Sequence, residues 1–186
     1  VVGLLINNTS LTIGTLAFLL AHRDEAEQEL KRLAITDALT GLHNRHWLEE
    51  RGADHLSLAQ RHKYPLTAMM VDIDHFKSIN DSHGHVVGDQ VLAGVGQALQ
   101  SVGRDADLIA RYGGEEFCIL LPMSGPDAAL ELAQRLRVRV QEALPAKVGF
   151  AVTYSAGVAP WRPGVLTLND LFAVADAALY EAKRAG

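Results

Sequence analysis

The sequence is poor in the residues that mark several protein classes. Its 186 residues include one cysteine, Cys118, which excludes an intramolecular disulfide and a zinc site built from several cysteines. Neither sign of charge dominates, because 17 Lys and Arg stand against 22 Asp and Glu, a formal net charge of −5. A nucleic-acid-binding domain normally carries a basic stripe, so this balance argues against one. With 48% hydrophobic and 21% charged residues, the chain has the composition of a globular protein rather than a disordered or collagen-like one.

The first 21 residues carry no charged side chain. A helix of that length would span about 31 Å, close to the roughly 30 Å thickness of a hydrocarbon core. The polar run at 7–10 opposes this interpretation, since polar side chains without partners are costly in lipid, and an amphipathic helix packed on a partner is the alternative. We expect residues 1–21 to be the end of a transmembrane helix that anchors the chain, with Arg23, Lys31 and Arg32 marking its cytoplasmic side.

Within the linker at 22–35, residues 23–32 are mostly charged, and Ala26, Leu30 and Leu33 recur at helical spacing. This pattern predicts a short linking and signalling helix that pairs with its own copy, although about two turns of heptad are too few to identify a coiled coil. Small and polar residues follow, so we place a domain boundary near Ile35. A single domain of ordinary size is expected over residues 36–186.

The rest of the chain alternates strand patterns with helix patterns. Nearly continuous apolar runs predict buried strands at 66–73, 108–112, 117–121 and 148–158. The second and third of these runs are separated by two glycines, as in a hairpin. Apolar residues spaced by three and four predict helices at 91–99, 126–144 and 171–182. The order β-α-β-β-α-β-α is typical of an α+β domain whose helices cover a sheet.

Two groups of acidic residues stand where predicted strands end or begin. Asp72 and Asp74 close the first apolar run and share one face of that strand because they are two residues apart. Alone, they would be interpreted as acids that cap the next turn. Glu115 and Glu116 follow the glycine pair, and only one of them can face Asp72 directly, because neighbouring strand residues point to opposite faces. Carboxylates crowded in this way are costly without a cation, and hard oxygen ligands suit Mg²⁺.

Four motifs occur in order along the domain. They are DALTGLHNR at 37–45, DIDHFKSIND at 72–81, GGEEF at 113–117 and ADAALYEAK at 175–183. All four resemble motifs of the GGDEF family, the diguanylate cyclases, and the third matches the signature in its GGEEF form. A single short motif would be weak evidence, whereas four in the family's order are strong evidence.

The resemblance implies a fold and an activity. The fold would be α+β and palm-like, as in nucleotidyl cyclases, with a mostly antiparallel central sheet flanked by helices and preceded here by an N-terminal helix. The activity would be synthesis of cyclic di-GMP from two GTP, with release of two pyrophosphates. Each domain would hold one GTP, so the enzyme would act as a homodimer. The cofactor would be Mg²⁺, with Mn²⁺ as the alternative, and no nucleic acid is expected as a partner.

The resemblance also implies a metal site and catalytic acids. Asp72, Glu115 and the backbone carbonyl of Ile73 would ligate the metal ion. Glu116 would be a further acid of this site or the base that accepts the proton of the 3′-hydroxyl. Glu115 and Glu116 are therefore the expected catalytic pair.

Five residues would bind the substrate by the same resemblance. Asn80 and Asp89 would recognise guanine, whose ring N–H and exocyclic amine are adjacent donors that adenine lacks. Lys183 would meet the terminal phosphates as a point charge. Phe76 and Gly114 complete the set, and a residue without a side chain at 114 lets the backbone approach the nucleotide closely.

A separate site is expected at Arg104-Asp105-Ala106-Asp107, an RxxD sequence shortly before GGEEF. The resemblance implies that this is an inhibitory site for the product, with Arg135 on the following helix as an additional phosphate contact. An arginine fork matches phosphate, and Asp107 can accept from a guanine edge. A solvated loop with a weak Arg–Asp pair is the alternative.

Two other functions stay open at this point. A catalytically silent GGDEF domain would bind GTP or cyclic di-GMP and regulate a partner, but loss of Asp72, Asp89 or an acid of GGEEF would favour it, and all are present. A relative that uses ATP or makes mixed dinucleotides is opposed by Asp89. We expect the cyclase domain in the cytoplasm, tethered to the bacterial inner membrane through residues 1–21.

Overall fold

The structure is a computed structural model that describes residues 35–185. The chain divides into two compact units, Val1–Ile35 and Thr36–Gly186. The membrane helix expected at 1–21 and the signalling helix expected at 22–35 fall outside the described residues, apart from Ile35. Over 35–185, no helix is long and apolar enough to cross a membrane.

A five-stranded mixed sheet and five helices make up the described part of the second unit, residues 36–185. In chain order the elements are β1 His43–Asn44, α1 Arg45–His62, β2 Leu66–Ile73, α2 Phe76–His83, α3 His85–Val102, β3 Leu108–Arg111, β4 Glu116–Pro122, α4 Pro126–Val148, β5 Tyr154–Pro160 and α5 Leu168–Ala185. The spatial order of the strands is β1-β3-β4-β2-β5. β2 runs antiparallel to both β4 and β5, β3 is antiparallel to β4, and β1 is parallel to β3. The predicted α+β fold with a mostly antiparallel sheet is confirmed.

Each face of the sheet carries its own hydrophobic core, because strand side chains alternate between the two faces. On β2, Met69, Val71 and Ile73 pack with buried side chains of α3 and α4. The intervening Ala68 and Met70 pack with α1 and α5. Every residue of β2 is therefore buried, as its continuous apolar run predicts. The same alternation places Asp72 on the face covered by α1 and α5.

The structure differs from the sequence expectation at the fifth strand and at two helices. The strand predicted at 148–158 begins only at Tyr154, because α4 continues to Val148 and ends at Gly149. Gly149 has a φ of 85°, a conformation that glycine adopts without steric cost. The helices α1 and α2 were not expected. α1 starts where the Asn44 side chain accepts from the backbone N–H of Trp47 at 3.0 Å, an N-cap.

Helix α5 lies directly against β5 at a glycine. A Cβ atom on Gly157 would overlap the backbone of Ala175 and Leu179, so only glycine permits this approach. Ala175 and Leu179 are buried in the core on that face. Lys183 follows Leu179 by one helical turn, so this contact also sets the position of the Lys183 backbone relative to the sheet.

Candidate active site

Three carboxylates gather at the end of β2 and the start of β4. The antiparallel register pairs Asp72 with Glu116, and directly paired residues project from the same face. Glu116 is therefore the acid that faces Asp72 across the strands. Glu115 lies in the preceding turn, where its carbonyl accepts from the backbone N–H of Ile73 at 3.3 Å. The backbone thus holds the acidic turn against the end of β2.

Asp72 is the buried member of this group, with 9% of its side chain exposed. Its Oδ1 atom lies 2.7 Å from Nζ of Lys183. Even so, this oxygen has no hydrogen-bond partner of acceptable geometry within the described part of the chain. A buried carboxylate oxygen with unused acceptor capacity is suited to a cation.

The charges around Glu115 change its acidity. Partial burial raises the pKa of Glu115, the negative charges of Asp72 and Glu116 raise it further, and the positive charge of Lys183 lowers it. The net effect is a raised pKa. More positive charge at this edge would favour the ionised form of Glu115.

The donors at this edge fit a hard divalent ion. They are the carboxylates of Asp72 and Glu115, with the backbone carbonyl of Ile73 as the expected third oxygen. Residues 35–185 contain no group of three or more His, Cys, Asp or Glu side chains arranged to hold a metal. Mg²⁺ is commonly held by one or two carboxylates together with substrate phosphates, so two carboxylates are sufficient for a nucleotide-dependent site.

A cavity of about 530 Å³ opens beside the acidic turn. Four of the residues expected to bind substrate line it together with Glu115: Phe76, Asn80, Asp89 and Gly114. The volume is that of a typical small-ligand pocket. Lys183 is not among the lining residues, since it lies at Asp72 instead.

Asn80 owes its position in this cavity to a glycine. A Cβ on Gly88 would overlap Oδ1 of Asn80 and would also crowd the ring of Phe76. The bare backbone of α3 at this point allows the Asn80 side chain of α2 to lie against it. The neighbouring Asp89 is exposed and faces the same cavity.

Arg111 is a site residue that the sequence analysis missed. Its Nη1 donates to Oδ1 and Oδ2 of Asp37 at 3.2 and 3.1 Å, and its Nη2 donates to the Gly114 carbonyl at 2.7 Å. Burial raises the pKa of Asp37, but hydrogen bonds from Thr40 and the charge of Arg111 outweigh this, so the pKa is lowered. An arginine just before the glycine pair and an acid in the first motif were the available signals.

Arg104 and Asp107 lie together, as their spacing predicts. The backbone N–H of Arg104 donates to Oδ2 of Asp107 at 2.8 Å, and both residues line a cavity of about 240 Å³. Arg135 lines a different cavity, of about 510 Å³, where its Nη2 donates to the Val102 carbonyl at 3.0 Å. Val102 precedes Arg104 by two residues, so this contact places Arg135 close to the start of the Arg104–Asp107 loop, although the two sets of residues border different cavities.

Comparison with known proteins identifies the family. Residues 34–186 match the family model described as "Diguanylate cyclase, GGDEF domain". The chain belongs to the GGDEF family. Each motif of this GGDEF domain has a defined place: residues 37–45 form the first loop, β1 and the start of α1, and residues 72–81 join β2 to α2. Residues 113–117 form the turn into β4, and residues 175–183 lie in α5.

Individual relatives agree with this assignment. The diguanylate cyclase DgcM of Escherichia coli K12 is 39% identical over 175 residues, covering 90% of this chain and 40% of DgcM. The cyclic di-GMP phosphodiesterase NbdA of Pseudomonas aeruginosa is 38% identical over 170 residues, covering 90% of this chain and 22% of NbdA. The chain therefore spans less than half the length of these relatives.

A solved structure extends the match to the fold. The coiled coil and GGDEF domain of DgcB from Caulobacter crescentus, in complex with cyclic di-GMP, superposes with a TM-score of 0.84 at 30% identity. The match covers 95% of this chain and 94% of that one. The sheet and helices of this GGDEF domain are thus those of its family.

Proposed function

We propose that this GGDEF domain condenses two GTP molecules into cyclic di-GMP and releases two pyrophosphates. The observation that carries the proposal is that acids suited to a metal ion lie next to residues suited to guanine. Glu115 lines the same cavity as Asn80 and Asp89, and it belongs to the acidic group that includes Asp72. Acids suited to a metal–triphosphate therefore lie beside acceptors suited to guanine.

The metal would be held by Asp72, Glu115 and the backbone carbonyl of Ile73, with Mg²⁺ as the ion and Mn²⁺ as its alternative. When bound, it neutralises charge on the leaving pyrophosphate and lowers the pKa of the attacking hydroxyl. Glu116, opposite Asp72 in the register, would be a further acid of this site or would accept the proton of the 3′-hydroxyl. The attack then depends on alignment of hydroxyl, α-phosphate and pyrophosphate.

The substrate would be oriented from both sides. Asn80 and Asp89 would accept hydrogen bonds from the ring N–H and exocyclic amine of guanine, in the cavity that Phe76 also lines. Gly114 would let the backbone approach the phosphates, and Lys183 would meet the terminal phosphates through its partly exposed side chain. These roles direct the α-phosphate toward the acids.

The reaction requires two copies of the domain. Each cavity would hold one GTP, so two domains would face each other as a homodimer to close the product ring. Residues 22–35 would bring the copies together, and residues 1–21 would anchor them at the bacterial inner membrane. The catalytic domain would then lie in the cytoplasm, where GTP is available.

We also propose that cyclic di-GMP inhibits its own synthesis at Arg104 and Asp107, with Arg135 as an additional phosphate contact. The relative DgcB has been solved with cyclic di-GMP bound, which supports product binding by this family. The product carries two phosphates and two guanines, so a molecule bound at these residues would also contact a second domain and cross-link the two. That arrangement would keep the two GTP sites apart.

A silent regulatory module is the second candidate. NbdA, which matches this chain over 170 residues, is named for hydrolysis of cyclic di-GMP, so a region similar to this domain occurs in a protein of the opposite activity. In that case the domain would bind GTP or cyclic di-GMP without turnover. The presence of Asp72, Glu115, Glu116 and Asp89 together favours synthesis.

The test is incubation of the purified protein with GTP and Mg²⁺, followed by mass spectrometry of the products. We expect cyclic di-GMP with two pyrophosphates released for each molecule. GTP binding in calorimetry with no turnover would establish the silent module instead. A parallel incubation with ATP, or with both nucleotides, would reveal a mixed-dinucleotide enzyme.

A further inference from the structure

Lys183 supplies the positive charge that the buried acid would otherwise lack. Its Nζ lies 2.7 Å from Oδ1 of Asp72, an atom with no properly oriented hydrogen-bond donor among residues 35–185. The contact is therefore an ion pair at close range. Lys183 also acts on Glu115, whose pKa its charge lowers. One ammonium thus serves two of the acids that the proposed function assigns to the metal.

A metal ion bound to the Asp72 carboxylate would lie close to this ammonium group, and the two positive charges would repel each other. Charges about 4 Å apart interact appreciably even in a partly solvated site, and a divalent ion doubles the repulsion. This repulsion favours movement of the lysine away from Oδ1 when a metal binds. Its side chain is 41% exposed and has a flexible four-carbon stem, so it can move. The helix backbone beneath it stays fixed by the contact at Gly157.

We propose that Lys183 is the resident counterion of the metal site in the nucleotide-free protein, and that it makes metal binding dependent on nucleotide. The inference rests on the proposed function, because it takes Asp72 as a metal ligand and phosphate as the other partner of Lys183. Without nucleotide, an incoming metal must push the ammonium into solvent. With nucleotide, the triphosphate offers the ammonium a new anionic partner. Metal and nucleotide therefore bind better together than either does alone.

The experiment measures Mn²⁺ binding by electron paramagnetic resonance, with nucleotide-free protein and with α,β-methylene GTP, which cannot release pyrophosphate. Substitution Lys183→Met removes the charge and keeps the length of the stem. Without nucleotide, we expect this variant to bind Mn²⁺ roughly tenfold tighter than the wild-type protein. With the analogue, we expect weaker binding than in the wild type, so the affinity gain from nucleotide shrinks.

Arg184→Met is the matched control, because it removes one positive charge from the next residue. Arg184 is 65% exposed, and its Nη1 lies 3.7 Å from Oε1 of Glu181 rather than near Asp72. We expect its Mn²⁺ affinity to stay within about twofold of the wild type. Lys183→Arg retains the charge and should bind Mn²⁺ weakly, as the wild type does. Asp72→Asn combined with Lys183→Met should abolish the tight binding.

Equal Mn²⁺ affinity of the Lys183→Met and wild-type proteins would overturn the proposal. So would an equal gain in Arg184→Met, since that would reflect net charge alone. Thermal unfolding checks that each variant folds, and Lys183→Gln replaces the methionine variant if that one does not. A wild-type protein that makes no cyclic di-GMP but shows the expected Mn²⁺ pattern would contradict the proposed synthesis and support the counterion role.

Discussion

The acidic edge of the sheet and the Arg104–Asp107 loop use similar residues in opposite environments. At the edge, Asp72 is almost buried, and a lysine ammonium lies 2.7 Å from it. In the loop, Arg104 is exposed and Asp107 is half-buried, and the contact between them comes from a backbone N–H. Exposed charges are screened by water and salt, whereas buried ones are screened much less. We therefore expect charge changes to have larger effects at the edge than in the loop.

The largest expected effect is at the edge. Glu115→Gln keeps the shape of the side chain but removes one unit of charge from the metal site. We expect turnover to fall at least about a hundredfold, because metal catalysis contributes several kcal/mol. Thermal unfolding should change little, since the turn is half-buried. Glu131→Gln, an exposed position on α4, is the matched control. Retained synthesis at physiological Mg²⁺ would contradict the assignment.

The next effect concerns the choice of base. Asp89→Ser removes the acceptor for the guanine donors at the cavity. A hydrogen bond to a charged group is worth about 1.5–3 kcal/mol, so kcat/KM for GTP should fall roughly 10- to 100-fold. Steady-state kinetics with GTP and ATP measure this. Unchanged GTP kinetics would show that Asp89 does not contact the base.

A smaller effect is expected in the exposed loop. Arg104→Ala should raise the concentration of cyclic di-GMP needed for half-inhibition by roughly tenfold, because solvent reduces the value of each charged contact there. The initial rate with GTP should stay similar, since Arg104 does not line the nucleotide cavity. Titration of both proteins with product is the measurement. Identical inhibition curves would show that Arg104 does not take part in product binding and that the loop is only a surface turn.

The smallest effect is on stability and lies at Asp37. Asp37→Asn weakens the contact with Arg111 and should cost about 1 kcal/mol at pH 7, since both side chains are only partly buried. The pKa of Asp37 is lowered on folding, so its contribution is fully present above the ordinary value of 3.8 and is lost as pH falls through the folded value. Urea unfolding at several pH values should show the variant and the wild type converging below about pH 4.

The sequence predicted an element of the fold best where the pattern that identifies it lies within a few neighbouring residues. The apolar run of β2 is a pattern of eight consecutive residues with acids at its end, and the structure has the strand at Leu66–Ile73. The predicted start of β5 at residue 148 was wrong, because Val148 is apolar and precedes the strand pattern but is the last residue of α4. Helix α1 was missed because its apolar residues are few and its charged residues many.

The motifs predicted most residues of the candidate site, but they did not predict the contacts between residues that are far apart in the sequence. Asp37 and Arg111 are 74 positions apart, so no local pattern indicates their pairing. The contact between Asp72 and Lys183 likewise depends on how α5 packs against the sheet. The family resemblance implied a metal role for Asp72 and a phosphate role for Lys183, but only the folded chain brings the two side chains together. The metal, the homodimer and the membrane anchor remain predictions.

The missing side chain at Gly157 has a consequence at the other end of the helix. An alanine there would have to push α5 away from β5, because its methyl group would overlap the backbone of Ala175 and Leu179. The displacement would carry Lys183 with it and lengthen its distance from Asp72. The single hydrogen atom of Gly157 thus allows the closest possible packing of α5 on β5. The charge balance of the acidic edge therefore depends on a residue that carries neither charge nor side chain.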